Sequence, residues 1–255
     1  LKQQPGFAQV FLPDGRPPLA GERFRIPQIG ATLGRIAQSA GGDFYSGEIA
    51  DQLVAHSQAH GGVLSADDLA EHRVEWVEPL AARYRSLTVH ELPPNTQGLA
   101  VQIALGILAH FDMGPAADPT QRIHLQIEAM KLAFADVYAH VAEPGSMRLS
   151  AQDMIDAACL AERARGISLN KAAQYGARPV PGNGTIYLAA ADEAGMMVSL
   201  IQSNFQGFGS GIVVPANGVS LNNRGSGFSL QAGHPNEVAG GKRPFHTILP
   251  AFLSR

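Results

Sequence analysis

The sequence predicts an α+β chain, mainly helical up to Leu169 and β-rich from Thr185 onward, with a Gly/Pro-rich linker at Tyr175–Gly184 between the two parts. In the first part, apolar residues recur at spacings of three or four. Beyond the linker, β-prone runs are separated by turn residues. Helical and strand patterns are segregated rather than alternating, which argues against a βαβ sheet.

Residues 1–27 are rich in Pro and Gly and read as irregular or short extended structure. Pro27 then stands at the entry of a helix carrying Ile29, Leu33, Ile36 and Ala37, which ends near Gly41-Gly42. A second helix follows Gly47, carries Ile49, Leu53 and Val54, and ends at Gly61-Gly62. Ser65-Ala-Asp-Asp68 has the pattern of a capping box, so Asp68 reads as structural. Leu87–Leu92 is an expected strand, broken by Pro93-Pro94. Gly98–Phe111 is apolar nearly all round, as a buried helix is. Asp118-Pro119 opens another helix, on which Ile123, Ile127, Met130, Phe134, Val137 and Val141 form an expected core stripe. Ser150-Ala-Gln-Asp153 starts a further one. After the linker, Thr185–Asp192 and Gly195–Ser203 flank the turn Asp-Glu-Ala-Gly as a hairpin. Ile212–Val214 and Val219–Leu221 read as short strands.

With 255 residues and 45% hydrophobic content, the chain can bury a substantial core. A formal charge of -3, with Lys and Arg scattered singly, provides no footprint for nucleic acid. No stretch approaches the apolar length needed to span a membrane, and no membrane partner is expected. The single cysteine, Cys159, excludes an intramolecular disulfide and multi-cysteine metal sites, and reads as a buried helix position. His56 and His60 have i, i+4 spacing but no evident third ligand, so they read as a helix end rather than a metal site. Gly207–Gly211 resembles a phosphate loop, yet Ile-Val-Val-Pro follows where a helix should begin. No cofactor or metal is expected. The chain lacks an initiator Met and stops after the apolar run Ile248–Leu253, so it reads as a segment of a longer protein, and its compartment is left unassigned.

Thr185 opens a strand directly behind a flexible turn. If the Gly184-Thr185 bond were cut, the threonine hydroxyl would gain an α-amine with a pKa of about 7.7 to 8.0 as its own base. Counting back from the hairpin turn sets Thr185 opposite either Gln202 or Ser203, depending on a register choice of one residue. Ser203 is favoured, because its hydroxyl could bond that of Thr185.

From Thr185 to Pro250 the chain resembles the small subunit of the γ-glutamyltransferase family, N-terminal-nucleophile hydrolases that mature by self-cleavage before a threonine. The matching pieces are Thr185 with Asp192 seven residues on, Gly195, Val198-Ser199, Phe208–Val213, Leu221-Asn222-Asn223, Gly233–Asn236 and Lys242-Arg-Pro244. Upstream, Asp43-Phe-Tyr45, Gly47–Ala50, Gly61-Gly62, Asp67-Asp-Leu69 and Phe134-Ala-Asp136 resemble the large subunit. The resemblance implies a four-layer αββα sandwich, a large-subunit segment at 1–184 and a small-subunit segment at 185–255, both from one precursor. It makes Thr185 the nucleophile, Gly184 and Thr185 the cleavage junction, and Ser203 the supporting hydroxyl. Asn222, Asn223, Arg224, His246 and Thr247 are implied as substrate contacts. The family's Gly-Gly oxyanion hole and its N-terminal substrate-binding arginine are expected outside this chain.

One departure bears on specificity. Glutathione-processing members carry acidic residues before Phe and a Gln or Glu where this chain has Arg224-Gly-Ser-Gly-Phe228. A cationic side chain cannot hold an ammonium but suits a carboxylate. This variant resembles the γ-glutamyltransferase-like and oxamate-amidohydrolase-like subgroup, which implies a threonine amidohydrolase or acyltransferase acting on small acidic amides. The alternatives are a classical glutathione γ-glutamyl transpeptidase and an unprocessed, catalytically silent relative that binds rather than reacts.

Overall fold

A computed structural model of the chain describes residues 1–175 and 185–255. Along the chain run α1 (Phe7–Phe11), α2 (Pro27–Gln38), α3 (Gly42–Ser46), α4 (Glu48–Ala59), α5 (Ala66–Ala70), β1 (Leu80–Tyr84), β2 (Leu87–Glu91), α6 (Leu99–Leu108) and α7 (Pro119–His140). They are followed by α8 (Ala151–Met154), α9 (Ala157–Arg165), β3 (Thr185–Ala191), β4 (Met197–Ser203), β5 (Val213–Val214), β6 (Val219–Ser220) and β7 (Phe252–Ser254). This is the mixed α and β composition expected. The elements form two units, one of Leu1–Trp76 with Asn204–Asn223 and the other of Val77–Ser203 with Arg224–Arg255.

In the first unit, small apolar clusters join N-terminal helices to the β5–β6 hairpin: Phe7 and Val10 pack with Val213, and Ile49 and Leu53 with Val214. Gly6 has φ +74°, and a Cβ there would sit 1.9 Å from the Val213 carbonyl oxygen, so only glycine lets α1 begin against this strand. The Ser65 capping box forms in full, with the Ser65 hydroxyl accepting from Asp68 N at 3.2 Å and Asp68 accepting from Ser65 N at 2.8 Å. Asp68 is therefore spent on its own helix.

In the second unit, β1, β2 and β7 make an antiparallel sheet in that order, and α6 and α7 supply most of the core. Leu99, Ile103 and Ile107 are wholly buried, as the continuous hydrophobicity of α6 requires. The expected stripe on α7 is corrected. The buried positions are Leu125, Glu128, Ala129, Leu132, Ala133 and Val137, while Ile123 and Ile127 are 58% and 54% exposed. The face is displaced because it holds two alanines, weak hydrophobic signals that nonetheless join the core cluster, and a buried glutamate that no periodicity count would place inside.

Glu128 can be buried because its carboxylate accepts three bonds: from Lys131 Nζ at 2.7 Å, Tyr175 OH at 3.0 Å and Ala173 N at 3.1 Å. Burial pushes the carboxyl up, but these donors outweigh it and hold it below the usual range. The same contact pushes the Tyr175 phenol up to about 12, through burial and the neighbouring carboxylate. This cluster moors the chain up to Tyr175 on α7. Glu128→Leu leaves three donors without their acceptor and should cost about 2 to 3 kcal/mol, read as a lower melting temperature.

The strand-rich reading of the last seventy or so residues is also corrected, since between Arg224 and Ala251 no ladder forms among the described residues beyond two isolated bridges, Thr96 with His246 and Ser229 with Glu237. Side chains take over the backbone bonds there. Asn236, 5% exposed, donates to Gly227 O at 2.6 Å and accepts from Phe245 N at 3.1 Å. Lys242 Nζ donates to Pro235 O and Glu237 O, both at 2.8 Å, and Arg243 pairs with Glu143. The Gly233–Asn236 and Lys242–Pro244 motifs thus brace an irregular segment.

Candidate active site

The β3–β4 hairpin has an unbroken register from Thr185↔Ser203 to Ala191↔Met197. A turn at Asp192–Gly195 closes it, with the Asp192 side chain accepting from Met196 N at 2.8 Å and Gly195 at φ +87°. Of the two registers the sequence left open, this one sets Thr185 directly across from Ser203. The Thr185 hydroxyl donates to Ser203 Oγ at 3.0 Å. That bond occupies the hydroxyl proton and leaves the oxygen lone pairs directed elsewhere, as an attacking oxygen needs. Thr185 is exposed, along with all of β3. Gly184 and the Gly184–Thr185 junction lie outside the described residues.

A second group forms where the chain returns to this unit after residues 204–223. Arg224 is 7% exposed, in a single 3-10 turn over Arg224–Gly227. Its Nη1 donates to Thr247 Oγ1 at 2.8 Å. Burial lowers the guanidinium pKa, yet a group that starts so far above neutrality keeps its charge at neutral pH. His246, next to Thr247, is pushed down to about 4 by burial and then by the Arg224 charge. Ile248 N donates to His246 Nδ1 at 3.3 Å, which leaves the proton of the neutral ring on Nε2. The group therefore offers a fixed cation and a neutral N–H donor, a set suited to a carboxylate.

Asn222 and Asn223 belong to the first unit. Asn223 is engaged with its own turn: Oδ1 accepts from Gln206 N at 3.1 Å and Nδ2 donates to Gln206 Oε1 at 3.2 Å. Asn222 is exposed, and its backbone lies close to Gly209, where an added Cβ would meet Asn222 Cα at 2.9 Å. So the structure brings together Thr185 with Ser203, and Arg224 with Thr247, while Asn222 and Asn223 stand in the other unit.

Sequence reasoning missed Asn95. Its carbonyl accepts from His246 N at 2.9 Å, and its Nδ2 donates to Pro244 O at 2.5 Å. Gln97 N donates to His246 O at 2.9 Å, so His246 is gripped on both sides of its backbone. The available signal was Pro93-Pro94-Asn95, read only as the end of a strand.

The chain is similar to known proteins along nearly its whole length. The oxamate amidohydrolase proenzyme of Klebsiella pneumoniae is 37% identical over 251 residues, 98% of this chain and 47% of that protein. The glutathione hydrolase-like YwrD proenzyme of Bacillus subtilis is 34% identical over 256 residues, covering 100% of this chain and 48% of that protein. The crystal structure of cephalosporin acylase from Bacillus halodurans superposes with a TM-score of 0.90 at 45% identity, over 98% of this chain and 45% of that chain. This chain thus spans about half the length of the relatives it matches. The family model for gamma-glutamyltranspeptidase matches residues 1–255, and the chain belongs to the gamma-glutamyltranspeptidase family.

Proposed function

We propose that this chain carries the nucleophile and the carboxylate-binding side of a threonine amidohydrolase or acyltransferase that cleaves itself before Thr185 and acts on small amides bearing a carboxylate. The observation that carries the reading is the pairing of an exposed Thr185 hydroxyl with Ser203 at 3.0 Å on the strand that the cleavage would begin. Arg224, Thr247 and neutral His246 support the substrate class, as does the likeness to an oxamate amidohydrolase proenzyme.

In maturation, the Thr185 oxygen attacks the Gly184 carbonyl carbon. The peptide C–N bond breaks as an ester forms, which frees the Thr185 amine, and water then hydrolyses the ester to release the Gly184 carboxylate and restore the Thr185 hydroxyl. In turnover, that amine takes the hydroxyl proton while the oxygen attacks the substrate carbonyl. The leaving amine departs with the proton, giving an ester acyl-enzyme. Water or a second amine then releases the acyl group. The segments 1–184 and 185–255 become parts of the two subunits.

Denaturing electrophoresis of the full-length protein with N-terminal sequencing tests this. A small fragment beginning Thr-Ile-Tyr-Leu is expected, together with faster turnover of oxamate and glutaryl amides than of γ-glutamyl anilides. Active protein with an intact chain would refute self-cleavage. A preference for γ-glutamyl anilides would instead assign a glutathione-type transpeptidase.

A further inference from the structure

Glu91, the last residue of β2, is 1% exposed. Its carboxyl rests on the N-terminal turn of α6, where a Cβ added to Gly98 would lie 2.4 Å from Oε2 and 2.9 Å from the Glu91 Cβ. Both carboxyl oxygens are buried with no hydrogen-bond donor among the described residues. One helical turn beyond Gly98, on the same face, stands Gln102, also 1% exposed. Its Nε2 donates to Leu80 O at 2.8 Å and to Val89 O at 3.0 Å, which fixes the amide, because turning it over would set its oxygen against two carbonyls. Its Oε1 is left buried without a donor.

Three acceptor oxygens are thus buried beside neighbouring turns of one helix. An ionised Glu91 would leave all three unmet, and a buried charge without donors is the costliest case. A protonated carboxyl supplies the one missing donor. Burial, with no charged neighbour contributing, raises this carboxyl to about 7. The surrounding elements agree. There is no titratable side chain on α6 or β7. On β1, Tyr84 lies at the far end of the pairing and Arg83 alternates to the other face. His90, on the other face of β2, bonds Ser254 Oγ at 2.7 Å.

The Glu91–Gly98 contact closes the neck of the 92–97 loop, and this is the loop whose Asn95 and Gln97 grip the His246 backbone. We propose that Glu91 is a positioning residue, a neutral acid that donates its proton to Gln102 Oε1 and so holds closed the loop that fixes His246. The effect on catalysis rests on reading His246 and Thr247 as substrate contacts. When Glu91 loses its proton, the neck encloses a charge facing another acceptor, and the loop loosens.

The experiment uses full-length protein and Glu91→Gln, whose amide keeps the shape and can donate to Gln102. Infrared difference spectra, wild type minus variant, should show a protonated carboxyl band that fades around pH 7. The His246 ring resonances should show an inflection at the same pH, well above the ring's own titration at about 4, and lose it in Glu91→Gln. With substrate, wild-type KM should rise about tenfold by about pH 8 as the competent fraction falls, while the variant's KM stays flat and kcat follows the same pH profile in both. Absence of the carboxyl band at about pH 6 overturns the proton assignment. A His246 inflection that persists in Glu91→Gln overturns the positioning role. Both spectroscopic readings stand whether or not Thr185 proves to be the nucleophile, so the two failures are distinguishable.

Discussion

Full-length Thr185→Ala protein should run as one band on a denaturing gel and lose amide turnover by about 10⁴-fold or more, the scale on which removing a covalent nucleophile acts. In the proposed reaction one oxygen performs both self-cleavage and turnover, so a single substitution removes both. Thr185 is exposed at the end of β3 and contributes one hydroxyl bond to Ser203, so the fold has little to lose. The melting curve should move by no more than about 0.5 kcal/mol equivalent, as for an exposed site. Thr185→Ser keeps a hydroxyl and, after cleavage, an amine on one residue, and should still process. The wild-type rate should rise with pH through about 7.7 to 8.0, as the α-amine becomes a free base. Processing or turnover in Thr185→Ala would place the nucleophile elsewhere.

Arg224→Leu should lower kcat/KM on carboxylate-bearing amides by roughly 100-fold, about 3 kcal/mol, while leaving self-cleavage intact. The guanidinium is 7% exposed and held by Thr247, so it meets a carboxylate already desolvated and oriented. His246 does not share the charge: at about 4 its ring is neutral under assay conditions, and carboxylate binding should be insensitive to pH between about 5 and 6.5, where an ordinary histidine titrates. The same depression makes His246 a stability term that is present above pH 6.5, where the unfolded ring is neutral too, and that is lost as pH falls toward about 4. Comparison with neutral amides of the same size separates recognition from folding. An equal loss on neutral and anionic substrates would show that Arg224 only supports the local structure.

Local features were legible in advance, because their partners lie a few residues apart. The Ser65 capping box, the helix start at Ser150, the Asp118 cap and the β3–β4 hairpin each depend on chain neighbours, and each formed as expected. Where a long-range partner decides, local pattern misled. The α7 face departs from its apolar count because Glu128 finds Tyr175 and Ala173 far along the chain. The 224–251 segment is irregular because Asn236 and Lys242 satisfy its backbone.

Taken alone, the amino-acid order determined the family, the α+β character and the hairpin, and it singled out Thr185 as the proposed nucleophile, since these rest on residue identity and short-range geometry. Only the tertiary structure decided that Arg224 meets Thr247, that Asn222 and Asn223 stand in a separate unit from both, and that Glu91 is buried against Gly98. Burial and desolvation are set by whatever the fold brings alongside, and for these side chains the neighbours that matter are distant in sequence or belong to the turn of another element.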